Sequence, residues 1–77
     1  MDIQLADVTI HIDKDVATEE RSGIEAALRG VEGVVSVRNT VERSHLFLVE
    51  YNPARTNSQV LLSTVKGKYG HAELVGL

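Results

Sequence analysis

Apolar and polar side chains alternate along residues 5–13, and this pattern predicts a β-strand. Val8, Ile10 and Ile12 share one face of that strand, whereas Thr9 and His11 share the other. Because successive side chains of a strand point to opposite faces, one face is expected to be buried and the other open. The first element is therefore a half-buried strand.

Helical spacing replaces this alternation after a short charged loop. Thr18 is the expected N-cap, and Glu19 and Glu20 fall in the first turn, where the helix dipole stabilises negative charge. Gly30 and Gly33 are expected to end the helix. The apolar residues that recur at the spacing of one helix face are Ile24, Ala27, Leu28 and Val31.

Two further strands are predicted in the middle of the chain. Residues 34–38 are rich in β-branched side chains and predict the second strand. Residues 39–44 are polar and predict a connection. Residues 45–51 alternate again and predict the third strand, which Pro53 stops because proline cannot donate to the ladder.

The last part of the chain predicts a helix and a strand. Asn57 or Ser58 is expected to cap the helix, Gly67 to end it, and residues 71–77 to form the final strand. The resulting order βαββαβ, with right-handed crossovers, gives a ferredoxin-like sandwich of the α+β class. Four antiparallel strands in the order 4-1-3-2 form its sheet. Both helices cover one face, and the other face stays open.

Size and charge restrict the classes of function. The 77 residues are expected to form a single domain, 1–77, around one small core. The net charge of −3 argues against nonspecific binding of nucleic acid. No apolar stretch approaches the roughly 20 residues of a membrane helix, and the chain does not begin with a signal-peptide pattern. We therefore expect a cytoplasmic protein that binds neither nucleic acid nor membrane.

Several short motifs stand in an order that resembles a known family. An Ile-Glu pair at 24–25 and a Gly-Val pair at 33–34 precede a Phe-x-Val-x-Tyr-Asn-Pro run at 47–53, and residues 70–75 are Gly-His-Ala-Glu-Leu-Val. Together these motifs resemble the heavy-metal-associated domain of copper chaperones and metal-pumping ATPases. The resemblance implies the same ferredoxin-like fold.

The resemblance fails at the metal-binding loop of that family. Its members hold soft metals with two cysteines in a Met-x-Cys-x-x-Cys loop, whereas this chain contains no cysteine. The resemblance places Ala17 and Glu20 at the cysteine positions and Asp15 at the methionine position. Alanine has no ligand atom and a carboxylate is a hard donor, so Cu(I) binding by thiolates is not expected.

Carboxylates at this loop leave another metal chemistry open. Asp13, Asp15 and Glu20 are close in sequence, and the resemblance implies that the turn carrying His71 lies beside them. One imidazole with several carboxylates suits Zn²⁺, Ni²⁺ or Co²⁺. The alternative is that the acids only cap the helix and hydrate the loop, and that no metal or other cofactor is bound.

The open face of the sheet is a second candidate site. The expected strand order makes the first and third strands neighbours, so Thr9 and His11 lie beside Leu46 and Leu48. Leucines on a hydrated face indicate a contact surface for a protein partner or a second copy of the chain. Single exposed leucines also occur on ordinary surfaces. His45 is expected to be a solvated residue at the start of its strand.

Enzyme motifs are absent from the sequence. It contains no Gly-rich phosphate loop, no nucleophile elbow and no His-Glu-x-x-His. We therefore predict a small non-catalytic domain that has lost cysteine-based metal binding and acts by protein–protein contact. The alternative is metal-ion binding or trafficking through carboxylate and histidine ligands.

Overall fold

Strands and helices follow one another in the order βαββαβ in the computed structural model, which describes residues 4–12, 17–40, 42–68 and 71–75. This order confirms the predicted fold class. The elements are β1 (Ala6–Ile12), α1 (Thr18–Arg29), β2 (Val34–Thr40), β3 (Arg43–Tyr51), α2 (Ser58–Lys66) and β4 (Ala72–Val75).

The four strands form one antiparallel sheet in the order β2-β3-β1-β4. This is the predicted order 4-1-3-2 counted from the other edge. Strands β1 and β3 occupy the centre, so β1 pairs with β3 on one side and with β4 on the other. Helix α1 contacts β2, α2 contacts β4, and the two helices contact each other. Among the described residues, neither helix is long and apolar enough to cross a membrane.

The core lies between the helices and the inner face of the sheet. Phe47 on β3 is fully buried opposite Ile10 on β1. Burying one such side chain contributes about 1.5–3 kcal/mol. The alternation predicted for β1 is confirmed, because its apolar residues are buried and the residues between them are not. The buried apolar set is Val8, Ile10, Ile12, Ile24, Leu28, Val37, Phe47, Val49, Tyr51, Leu61 and Val65.

Strands β2 and β3 extend further than predicted, and the expected polar connection over residues 39–44 is wrong. Thr40 pairs with Arg43, so the ladder continues almost to the turn. The side chain of Asn39 donates a hydrogen bond from Nδ2 to the carbonyl oxygen of Leu46 at 2.7 Å. This bond joins the two strands where their register shifts, and polar composition alone does not predict it. A second register shift lies near the beginning of β2, at Val35.

The helix caps agree with the prediction for α2 but not for α1. Asn57 caps α2 by accepting a hydrogen bond at Oδ1 from the Val60 N–H at 3.0 Å. The N-cap of α1 is Ala17 rather than the predicted Thr18, which is already helical. Because Ala17 has no side-chain acceptor, the cap depends on Glu20, whose Oε1 accepts a hydrogen bond from the Ala17 N–H at 3.3 Å.

The turn between α1 and β2 depends on one glycine. Gly33 has φ of +101°, a conformation that L side chains rarely adopt. A Cβ atom at this position would lie 2.7 Å from the Cβ of Arg55. The Gly33 carbonyl also accepts a hydrogen bond from the Asn52 N–H at 2.7 Å, which joins this turn to the end of β3. Both backbone conformation and space therefore require glycine here.

Substitution of Gly33 and of Gly23 should shift stability in opposite directions. Gly33→Ala should lower the free energy of unfolding by about 1–3 kcal/mol, because it combines a strained φ with a steric clash. Gly23→Ala is the matched control: Gly23 lies inside α1 with nothing within 4 Å of the added Cβ. This control should raise stability by about 0.5–1 kcal/mol. Urea denaturation measures both, and equal effects of the two variants would contradict the structure.

Candidate functional site

The face of the sheet opposite the helices presents side chains from all four strands. These residues alternate with the buried positions of the same strands, so they point away from the core. We call this set the open face. Its residues are Asp7, Thr9, His11, Ser36, Arg38, Leu46, Leu48, Glu50, Glu73 and Val75.

An apolar row crosses the middle of the open face. Thr9 pairs with Leu48 on one side and with Val75 on the other, so the two apolar side chains flank its methyl group. Leu48 is 40% exposed and Val75 is 43% exposed. Arg38 pairs with Leu48 from the outer strand β2 and ends the row with a positive charge. The row is therefore a narrow apolar strip with a cation at one end.

Two carboxylates face each other at one end of the open face. Asp7 on β1 stands directly opposite Glu50 on β3. The hydroxyl of Ser36 donates a hydrogen bond to Glu50 Oε1 at 3.4 Å. These residues, with Arg38 and Leu48, line a shallow depression of about 120 Å³. Like charges placed directly opposite each other across two strands destabilise a sheet.

Two histidines and a glutamate meet at the other end of the open face. His11 stands between Leu46 on β3 and Glu73 on β4. Its Nδ1 lies 3.4 Å from Oε1 of Glu73. The ring centroid of His45 lies 5.3 Å from that of His11, with the rings at 89° to each other.

The structure differs from the expectation of a solvated His45. This residue is partly buried, and its ring packs edge-on against His11. Its neighbour Leu46 is the cross-strand partner of His11, so the two strands bring the backbones of residues 11 and 45 close together. Simple alternation would place His45 on the face of Phe47, and the ring contact therefore could not be predicted from the pattern of the sequence.

The residues predicted as metal ligands are only partly described by the structure. Asp13 and Asp15 lie outside the described residues. Glu20 is exposed, and its carboxylate accepts a hydrogen bond from the Ala17 N–H at the start of α1. His71 is exposed and directly precedes Ala72, which pairs with Ile12 at the end of β1.

This pairing places His71 beside the end of β1. Within residues 4–12, 17–40, 42–68 and 71–75, no group of three or more His, Cys, Asp or Glu side chains is arranged to hold a metal. A metal site at the loop stays a prediction.

Neither known family models nor curated proteins match this sequence. Solved structures do match. Oxidized MerP from Ralstonia metallidurans CH34 has a TM-score of 0.83 at 20% identity, over 95% of this chain and 100% of that one. A copper-binding domain from HMA7, a P-type ATPase, has a TM-score of 0.81 at 16% identity, over 91% and 93%. The apo HMA domain of the copper chaperone for superoxide dismutase has a TM-score of 0.75 at 23% identity, over 95% and 69%.

This chain has the fold of the heavy-metal-associated (HMA) domain. The resemblance stated from sequence motifs is thus confirmed at the level of the fold. This chain differs from the cysteine-based pattern of the family, because its HMA fold contains no cysteine. At the start of α1, Ala17 is the N-cap residue, and the carboxylate of Glu20 accepts a hydrogen bond from the Ala17 N–H. The observations show an HMA fold in a chain without cysteine.

Relief of the repulsion between Asp7 and Glu50 should stabilise the fold. Asp7→Lys should raise the free energy of unfolding by about 0.2–1 kcal/mol, because it replaces a like-charge cross-strand pair with an opposite-charge pair. Asp7→Asn removes the repulsion without adding an attraction and should give a smaller gain. Urea denaturation at low salt and in about 1 M NaCl measures both, and the gains should shrink at high salt. Loss of stability in both variants would show that this pair is not repulsive.

Proposed function

We propose that this chain is a non-catalytic HMA-fold domain that acts by protein–protein contact through its open face. A location in the cytoplasm is part of this proposal. Enzyme motifs are lacking in the sequence, and its HMA-fold neighbours include metal-binding domains and a chaperone domain. Without the two cysteines, the loop lacks the thiolates that soft metals require. We therefore propose that the sheet, rather than the loop, carries the function.

The observation that carries the proposal is the composition of the open face. Leu48 on the central strand β3 is 40% exposed, and Val75 on the edge strand β4 is 43% exposed. At the same face, Asp7 and Glu50 keep a pairing that costs stability. Features that lower stability without benefit to the fold are expected at functional positions. A partner that covers the apolar row and neutralises the acids would account for both.

The charge distribution of the open face specifies the partner. Asp7 and Glu50 lie along one side of the apolar row and Glu73 lies along the other, whereas Arg38 is the cation of the set. A complementary surface has an apolar centre with lysine or arginine on both sides. In a homodimer formed through the open face, two mainly acidic surfaces would meet. We therefore propose a basic protein partner rather than a homodimer.

Site-specific photocrosslinking tests where a partner binds. A photoreactive residue at position 48 should crosslink to a partner in cells, whereas the same residue at position 60 should not. Val60 is the matched control, because it is 43% exposed on α2 while Leu48 is 40% exposed on the sheet. After the crosslinked protein is identified and purified, Leu48→Glu should weaken its binding at least about tenfold and Val60→Glu should not.

Two results would contradict this proposal. Crosslinking of equal yield from positions 48 and 60 would show that the open face is not selective. Sedimentation of the purified chain as a dimer that Leu48→Glu dissociates would show self-association instead of binding to a basic partner.

Addition of about 0.5 M salt should weaken binding to a basic partner, because exposed charges are screened.

Metal binding at the loop is a second candidate, favoured by the position of His71. This residue directly precedes Ala72, which pairs with Ile12 at the end of β1, and Asp13 and Asp15 follow Ile12 closely in sequence. A carboxylate and imidazole set of this kind suits Zn²⁺, Ni²⁺ or Co²⁺.

Titration with each of these ions tests the loop site. His71→Ala should abolish saturable binding if the loop holds the metal. Glu20→Ala removes both a ligand and the helix cap, so Glu20→Gln is the sharper variant: glutamine keeps a hydrogen-bond acceptor for the Ala17 N–H but loses the charge. Unchanged affinity in His71→Ala and Glu20→Gln would eliminate this site.

A further inference from the structure

The cluster at the β4 side of the open face contains the side chains best suited to a transition metal among the described residues. His11 and His45 bring two imidazoles within 5.3 Å of each other, measured between ring centroids. Glu73 places a carboxylate oxygen 3.4 Å from Nδ1 of His11. Imidazole is a good ligand for the borderline ions Zn²⁺, Ni²⁺ and Cu²⁺. None of these residues belongs to the predicted loop site, which consists of Asp13, Asp15, Glu20 and His71.

We propose that His11 and His45 bind one divalent transition-metal ion, and that Glu73 orients His11 for this purpose. The site has two protein ligands, and water fills the remaining coordination positions. It therefore does not require three ligating side chains, and no such group is present in the described part of the chain. A site with two protein ligands gives moderate affinity and an ion that exchanges readily.

The separation of the two rings fits a shared ion. A Zn–N bond is about 2.0–2.1 Å, and a ring nitrogen lies about 1.1 Å from the ring centre, so the ion lies about 3.2 Å from each centre. At a tetrahedral angle the two ring centres are then about 5.2 Å apart. The observed 5.3 Å matches this separation. Because the rings are at 89°, one ring must turn about χ2, a torsion with a broad energy profile.

The contact with Glu73 has a direct chemical effect on His11. A carboxylate beside Nδ1 favours the tautomer that carries its proton on Nδ1, which leaves Nε2 unprotonated as the metal ligand. Metal-bound histidines commonly donate their second N–H to a carboxylate in this way. Glu73 therefore acts as a positioning residue for His11.

The sheet holds His11 and Glu73 in fixed positions. His11 lies on the central strand β1, whose backbone pairs with Leu46 on one side and with Glu73 on the other. Ligands on paired strands are placed more accurately than ligands on loops, so little ordering is needed when the ion binds.

Calorimetric titration with ZnCl₂ and NiCl₂ of the wild type and three histidine variants tests this proposal. We expect saturable binding of one ion per chain. His11→Ala and His45→Ala should each weaken it at least about tenfold. His71→Ala separates this site from the loop site, because loss of binding in that variant alone would assign the ion to the loop. Glu73→Gln should weaken binding less than removal of either histidine, and should also alter the tautomer of His11 in the metal-free protein.

A measurement on the wild type keeps the test valid if a variant fails to fold. In ¹⁵N–¹H spectra of the imidazoles, Zn²⁺ should shift nitrogens of His11 and His45 and leave those of His71 in place. Shifts at His71 alone would assign the metal to the loop and overturn this proposal. Absence of saturable binding up to about 1 mM metal would overturn it as well.

Discussion

The register of β1 between β3 and β4 is the constraint on which the rest of the structure depends. It places Ile10 against Phe47 on the inner face, where the core forms. The same register places Thr9 between two exposed apolar side chains and His11 beside Glu73 on the outer face. Because side chains alternate along a strand, a shift of one residue would exchange the core and the open face. One backbone alignment therefore decides both the stability of the fold and the composition of its surface.

Much of the fold followed from the sequence because its signals are local. The alternation around Ile10 and the cap at Asn57 each depend on a few adjacent residues, and the structure agrees with both. The errors arose where a side chain acts from a distance. Glu20 caps α1 from three residues away, and Asn39 bonds to Leu46 across the turn. The contact between the two histidine rings depends on the pairing of distant strands, so periodicity alone could not predict it.

The HMA fold of this chain shows that the scaffold does not need thiolate chemistry at its loop. The positions that resemble the two cysteines are Ala17 and Glu20, and in this structure they form the beginning of α1. Their present chemistry supports the helix instead of a soft metal. A fold and the site built on it are separable, so functional inference must come from the side chains present. We therefore place the proposed function on the side chains of the sheet.

The two register shifts of β2 have a consequence for how this protein meets other molecules. Strand β2 is an edge of the sheet, and Val35 at its first shift is 55% exposed. A straight apolar edge offers unpaired backbone groups to any other strand and leads to aggregation. Bulges twist an edge and interrupt its row of donors and acceptors. The irregular ladder of β2 thus discourages growth of the sheet from chain to chain through this edge.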